Sequence, residues 1–108
     1  MRFKTEELLF AGTVLDGSTV FTKDIDLSTG RGICFNLDFQ SGFGNYEIQS
    51  SIDRVTWYTI PGSKRTFTGP DSFLAESQGD IYYDYVRVKI SSSSGDVVTK
   101  IKYSEQGF

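Results

Sequence analysis

Carboxylates are the side chains whose types and spacing come closest to a catalytic arrangement in this sequence. Asp24 and Asp26 lie two residues apart, so they would share one face of a strand, and Asp80 and Asp84 flank two tyrosines. Two carboxylates at a suitable distance can act as acid and base in glycoside hydrolysis. The chain contains no histidine, the commonest general base, and its 14 acidic residues produce close pairs by chance. We therefore interpret these pairs as solvated surface and predict that the protein is not an enzyme.

Neither a metal site nor a cofactor site is predicted. Zinc would need clustered cysteine and histidine, whereas Cys34 is the single cysteine and cannot form an internal disulfide. The acidic residues near Asp16 and Asp80 do not follow the spacing of a calcium-binding loop. The glycines in 12–17 and 30–32 precede no predicted helix, so they indicate turns rather than a phosphate-binding loop.

A cluster of aromatic residues is the best candidate for a binding surface. Tyr82, Tyr83 and Tyr85 fall within four residues, and at least one must point outward if the apolar residues of 86–90 point inward. Phe43 is a further candidate, since it lies between two glycines in a predicted loop. Exposed aromatic rings suit glycan or protein interfaces because a rigid ring offers contact area at low entropic cost. The alternative is that these rings pack at the rim of the core.

Composition and charge predict the domain organisation and limit the classes of partner. A chain of 108 residues predicts a single domain, 1–108, that is large enough to bury a core. The net charge is −3 and the 11 basic residues are scattered, so we predict no nucleic-acid partner. No apolar run reaches the roughly 18 residues of a membrane helix, and the N-terminus lacks the apolar segment of a secretion signal. We therefore predict no membrane partner.

The elements that must position these residues are strands. Apolar and polar residues alternate cleanly in 33–39, 83–90 and 97–103, which is typical of strands with one face on the core. The glycine-containing segment 40–45 and the serine-rich segment 91–96 are predicted to be loops between them.

A hairpin is predicted around the single tryptophan. Alternation in 46–50 is followed by a turn at Asp53-Arg54 and a return strand in 55–60. Four aromatic residues fit the parity of core positions. They are Phe21, Phe35, Phe39 and Trp57.

Weaker patterns complete the set of strands. The segment 3–10 fits a short helix or a first strand, and nearby glycines favour the strand. Further strands are predicted in 18–27, 64–68 and 72–76. About eight strands with turn signals every 8–12 residues predict an all-β, antiparallel, two-sheet β-sandwich, either jelly-roll or immunoglobulin-like.

Two motifs carry a family resemblance. The motifs are Tyr46-x-Ile48-x-Ser50-x-x-Asp53-x-x-x-Trp57-x-x-Ile60-Pro61-Gly62 and Tyr85-Val-Arg-Val-Lys89 with the serine/glycine segment after it. Together they resemble small β-sandwich modules in tailed-bacteriophage virions, which often contain S-x-D-G-x-x-W-x-x-I followed by Y-x-Y-V-R-V-x. The resemblance covers roughly residues 33–103 and departs from the family at Arg54, where the family usually has glycine. Similar modules occur in discoidin-like and carbohydrate-binding domains.

The resemblance implies a structural role in a phage particle. Modules of this kind occur in capsid decoration proteins, head fibres and tail-associated proteins. It implies a virion component, assembled in the host cytoplasm, that binds capsid or tail proteins as a homo-oligomer, most commonly a trimer. The tyrosine cluster favours an alternative function, a carbohydrate-binding or host-receptor-binding module with a glycan as partner.

Overall fold

The computed structural model describes residues 2–26, 30–76 and 84–107 of the chain. Within these ranges the secondary structure consists of strands, with no helix. The strands are β1 (Arg2–Val14), β2 (Thr19–Phe21), β3 (Ile25–Asp26), β4 (Gly30–Ser51), β5 (Tyr58–Thr59), β6 (Arg65–Thr68), β7 (Asp71–Glu76) and β8 (Tyr85–Gly107). Accordingly, the described ranges hold no helix long and apolar enough to cross a membrane.

Two long strands form the centre of the fold. β4 and β8 pair antiparallel along almost their whole length, from Gly30 opposite Gly107 to Ser51 opposite Tyr85. β1, β2 and β3 pair in turn along the outer edge of β8. β7, β6 and β5 pair along the outer edge of β4. All of the described strands therefore join one antiparallel sheet.

Both long strands change their buried parity near their middle. In β4 the buried positions are odd-numbered from Ile33 to Phe39 and even-numbered at Tyr46, Ile48 and Ser50. Glu47, on the opposite parity, is also buried, beneath its contacts with Lys89 and Thr59. In β8 they are even-numbered from 86 to 92 and odd-numbered from 97 to 103. Register shifts between Phe39 and Gly44 account for the change, because a shift of one residue turns a strand over. The same face of the sheet thus stays buried along its whole length.

The segments 40–45 and 91–96 were predicted to be loops, and this prediction is wrong. Both segments lie within strands and pair with each other, with Phe43 opposite Ser94 and Gly44 opposite Ser92. Their small residues permit close backbone approach. A Cβ atom added to Gly44 would lie 1.9 Å from the carbonyl oxygen of Ser91, and one added to Gly42 would lie 2.4 Å from that of Asp96. Glycine is therefore a steric requirement at this bend rather than a sign of a loop.

The turn between β6 and β7 also packs against the bend. The Gly69 amide donates a hydrogen bond to the Gly42 carbonyl over 2.8 Å. A Cβ atom on Gly69 would lie 2.7 Å from the Cα atom of Ser41. Three glycines thus bring the bend of β4 into backbone contact with both of its neighbours.

The core packs against the buried face of the sheet. Aromatic rings dominate its centre: Phe39 and Phe67 stack with centroids 3.7 Å apart, and Tyr46 meets Phe73 edge-on at 5.3 Å. Phe73 pairs with Leu37 before the bend, whereas Tyr46 lies after it, so this contact joins the two halves of the sheet. The fully buried aliphatic residues around these rings are Val14, Leu37, Val86, Val88, Ile90, Val97 and Ile101.

The architecture agrees with the sequence prediction at the level of fold class. An all-β, antiparallel fold of eight strands is confirmed. Two separate sheets are not observed, because the bent strands β4 and β8 connect both halves by continuous hydrogen bonding. Strands predicted in 3–10, 64–68 and 72–76 are present, and the one predicted in 18–27 is divided into β2 and β3.

Candidate functional site

The structure describes two of the four aromatic residues that the sequence predicted as a binding surface. Tyr82 and Tyr83 lie outside the described residues. Tyr85 is half-buried at the start of β8, opposite Ser51, while Phe43 lies in the bend of β4 and is 43% exposed. Phe43 and Ser51 are eight positions apart along β4, which corresponds to about 25 Å in a strand. Phe43 and Tyr85 therefore do not belong to one site.

A different aromatic arrangement surrounds Arg87 on the outward face of the sheet. The guanidinium carbon of Arg87 lies 4.1 Å from the ring centroid of Phe21 and 4.1 Å from that of Trp57. Its Nε atom donates a hydrogen bond to Oε1 of Gln49 over 2.8 Å. Burial lowers the pKa of Arg87, while the negative charge of Asp24 raises it. One cation thus links β2, β8, β4 and the segment before β5.

The prediction that Phe21 and Trp57 are core residues is wrong. Phe21 pairs with Lys89 and is 44% exposed, and Trp57 is partly exposed beside Arg87. For Phe21 the cause is a change of register: Phe21 pairs with Lys89, but Ile25 pairs with Val86, so one residue is skipped between β2 and β3. Both rings instead stabilise a cation through their faces. Phe35 and Phe39 are buried, as predicted.

A polar row lies next to the Arg87 arrangement. The Nζ atom of Lys89 lies 3.3 Å from Oε1 of Glu47, and the Thr59 hydroxyl donates a hydrogen bond to the other carboxylate oxygen. These partners lower the pKa of Glu47, with the Thr59 hydrogen bond as the largest cause. The row joins β8, β4 and β5, and within it the ammonium group of Lys89 contacts the carboxylate of Glu47.

The loop between β4 and β5, together with the strand residues Ser51 and Tyr58 at its two ends, is hereafter the 51–58 loop. Short-range hydrogen bonds hold it. Oγ of Ser51 accepts hydrogen bonds from the amides of Asp53 and Arg54 over 3.2 and 2.8 Å. Oδ1 of Asp53 accepts them from the amides of Val55 and Thr56 over 2.9 and 3.0 Å. The backbone hydrogen bonds from Thr56 and Val55 are the main cause of the lowered pKa of Asp53. The loop thereby has a defined conformation.

Arg54 occupies the position where the resembling phage modules usually have glycine. Its φ angle is 64°, in the left-handed region that favours glycine. Its Nε atom lies 3.2 Å from Oδ2 of Asp24, and its guanidinium carbon lies 4.3 Å from the ring centroid of Tyr85. The ion pair and the ring contact stabilise the arginine in this conformation. Asp24, one of the carboxylates considered for catalysis, is thus engaged by Arg54.

Three apolar side chains of the 51–58 loop are exposed. Ile52 is 74% exposed, Val55 is 81% exposed and Tyr58 is 66% exposed. These residues were not predicted to form a surface, because the sequence pattern places Ile52 at the entry to the turn and Val55 in a return strand over 55–60. The return strand is shorter than predicted: β5 comprises only Tyr58–Thr59, so Val55 lies in the loop. The available signal was the pair of apolar residues on either side of the charged dipeptide Asp53-Arg54.

The other half of the sheet carries a shallow groove of about 320 Å³ on its outward face. Asn36, Asp38, Leu74 and Lys102 contribute to its lining. The Ser72 hydroxyl donates a hydrogen bond to Oδ1 of Asp38 over 2.7 Å. Among the described residues, no group of three or more histidine, cysteine or carboxylate side chains is placed to hold a metal ion.

Comparison with known proteins gives likenesses of fold. No protein-family model matches the sequence, and no curated protein matches it. The structure is similar to the SPBc2 prophage-derived protein YomS, with a TM-score of 0.68 and 9% identity over 96% of this chain and 92% of that chain. It is also similar to a protein of Bacillus endospore appendages, which form a family of disulfide-linked pili, with a TM-score of 0.61 and 10% identity over 98% and 88% of the two chains. At such low identity the likeness establishes a shared all-β fold along nearly the whole chain.

Proposed function

We propose that this protein is a non-enzymatic structural component of a tailed-phage particle, a capsid decoration or head/tail accessory protein that binds the particle surface. The observation that carries the proposal is the likeness to a prophage-derived protein, which extends over 96% of this chain. The sequence motifs around Trp57 and Tyr85 support the same setting through their resemblance to virion modules. On this proposal the bent sheet is a variant of the β-sandwich of those modules, with its two halves joined.

The surface of the protein supports a binding role more than a catalytic one. The charged groups near the Arg87 arrangement are engaged with one another: Glu47 with Lys89, and Asp24 with Arg54. The exposed features include three apolar residues of the 51–58 loop. The proposed partners are capsid or tail proteins of the same particle. The proposed assembly is a homo-oligomer, with a trimer favoured by the family resemblance.

Analysis of particles tests the proposal directly. Particles from the host that encodes this chain are purified by density gradient, and their proteins are quantified by mass spectrometry against the major capsid protein. We expect the chain to remain at a fixed ratio to the capsid protein through successive gradients. Its loss from the particle fraction, with recovery in the free protein fraction, would contradict the proposal.

A glycan-binding module is the second candidate function. The observation that favours it is the exposure of Tyr58 beside the partly exposed Trp57, since aromatic rings stack on sugar faces. A glycan array tests this candidate with the wild-type protein and the variants Tyr58→Ala, Tyr82→Ala and Tyr83→Ala. Binding that a tyrosine substitution abolishes would favour this function. The absence of binding to any glycan at millimolar concentration would exclude it.

A further inference from the structure

We propose that the 51–58 loop docks this protein onto an uncharged, apolar pocket of another protein of the particle. This inference rests on the proposed function and assigns its binding surface. The sequence directed attention to the tyrosines of 82–85 and to Phe43, whereas the structure directs it to the loop that follows β4.

Three of the seven large apolar side chains that are exposed among the described residues lie in this loop. Ile52, Val55 and Tyr58 lie within seven residues, and each exposes well over half of its surface. Single exposed apolar residues are normal on a protein surface, but several on one short loop are typical of a contact site.

The loop is fixed before any partner binds. Hydrogen bonds to the side chains of Ser51 and Asp53 hold four consecutive backbone amides, from residue 53 to residue 56. Arg54 ties the loop to Asp24 and Tyr85, and the Trp57 ring packs on Arg87. A loop ordered in advance loses little conformational entropy on binding, so the contacts of its apolar side chains contribute more fully to affinity.

The charges of the loop indicate the chemistry of its partner. Asp53 and Arg54 are its charged residues, and their charges cancel. The Asp53 carboxylate accepts hydrogen bonds from two amides, and Arg54 is paired with Asp24. Nucleic acid and anionic membranes are recognised by unneutralised cationic side chains, which this loop does not offer. Aliphatic residues such as Ile52 and Val55 fit an apolar protein pocket instead.

The exposed area of Ile52, Val55 and Tyr58 predicts the strength of the contact. Three exposed side chains offer on the order of 300–400 Å², compared with about 800 Å² per partner in a standard interface. One loop therefore gives a weak contact. Several loops presented together by an oligomer would attach firmly, because each binding event raises the effective concentration of the next.

Co-sedimentation with particles tests the inference. Particles assembled without this chain are mixed with the purified protein, and the bound fraction is measured over a range of protein concentrations. The test variant is the double substitution Ile52→Ser and Val55→Ser. The control is Leu15→Ser, which removes an apolar residue of similar exposure, 61%, from the turn between β1 and β2. Unchanged urea-unfolding midpoints verify that both variants are folded.

We expect the double variant to bind at least tenfold more weakly than wild type and the Leu15→Ser variant to bind as wild type does. Equal binding by wild type and the double variant would overturn the inference and leave the proposed function standing. An equal loss in the double variant and in Leu15→Ser would also overturn it. If the wild-type protein does not sediment with particles, the proposed function itself fails.

A parallel measurement with vesicles of neutral phosphatidylcholine distinguishes a protein pocket from a lipid surface. We expect no co-sedimentation of the wild-type protein with these vesicles. Vesicle binding that disappears in the double variant would overturn the choice of a protein partner.

Discussion

The bend of β4 provides the sharpest test of the fold, through four Gly→Ala substitutions that separate steric contact from backbone conformation. Gly44 has no positive φ angle but no room for a Cβ atom, whereas Gly42 has both a φ of 79° and a steric conflict. Gly95 has a φ of 73° with open space around it, and Gly12 has neither constraint. Each substitution adds the same methyl group, so differences among them report the local structure.

The expected magnitudes follow from these distances. In the Gly44→Ala variant, the Cβ atom would lie 1.9 Å from a carbonyl oxygen, while real Cβ contacts are essentially never closer than 3.0 Å. The backbones of β4 and β8 must therefore separate by about 1 Å, and overpacking of this kind costs about 3 kcal/mol. Gly95→Ala adds the cost of a left-handed alanine, about 1–2 kcal/mol. Gly42→Ala combines both effects, at about 4 kcal/mol or more. Gly12→Ala stays within about 0.5 kcal/mol of wild type.

Urea unfolding followed by Trp57 fluorescence and by far-ultraviolet circular dichroism measures these free energies. Coincident transitions by the two probes are required, because the free energies assume two-state unfolding. The expected order of destabilisation is Gly42→Ala, Gly44→Ala, Gly95→Ala and Gly12→Ala. If Gly44→Ala were as stable as Gly12→Ala, the close approach of β4 and β8 at the bend would be refuted.

Three further predictions concern the outward face and the 51–58 loop. Arg87→Ala should shift the fluorescence emission of Trp57, the single tryptophan, to longer wavelength. It should also destabilise the protein by about 1–2 kcal/mol, because it removes a cation–π contact and packing. An unchanged emission spectrum would contradict the contact between the Arg87 guanidinium and the Trp57 ring. The lowered pKa of Glu47 means that its ionised form is stabilised in the folded state, so this contribution is present above the ordinary pKa of 4.5 and is lost as the pH falls below it. Urea midpoints from pH 7 to pH 3 should therefore fall less in Glu47→Gln than in wild type, and parallel curves would speak against the Thr59 and Lys89 contacts. Asp53→Ala should accelerate hydrogen exchange at the amides of Val55 and Thr56 at least severalfold. NMR measures these exchange rates, with the core amides as internal control. Unchanged rates would show that the Asp53 carboxylate does not hold the loop.

Alternation predicted the inward faces of the strands well. Ile33, Phe35, Leu37 and Phe39 are buried as expected, and so are Val86, Val88 and Ile90. This success has a simple cause: adjacent side chains of a strand point to opposite faces, so the pattern of one strand carries its orientation to the core. Local sequence is sufficient for that inference.

Alternation did not predict the positions whose burial or conformation depends on a neighbouring strand. Gly42 and Gly44 look like loop residues in isolation, but β8 lies against them and requires glycine for close approach. Phe21 has core parity in sequence, but the register change between β2 and β3 turns it outward to Arg87. No local pattern records the register of a distant strand.

The sequence by itself determined the all-β class, the buried parity of the segments 33–39, 86–90 and 97–103 and the turn at Asp53-Arg54, because these depend on side-chain alternation and local backbone preference. The tertiary structure decided that β4 and β8 continue through the bend as one sheet, that Trp57 and Phe21 enclose Arg87, and that the exposed apolar residues lie in the 51–58 loop. The first two of these features arise from contacts between segments that are far apart in the chain, and such contacts are fixed only when the sheet forms over its core.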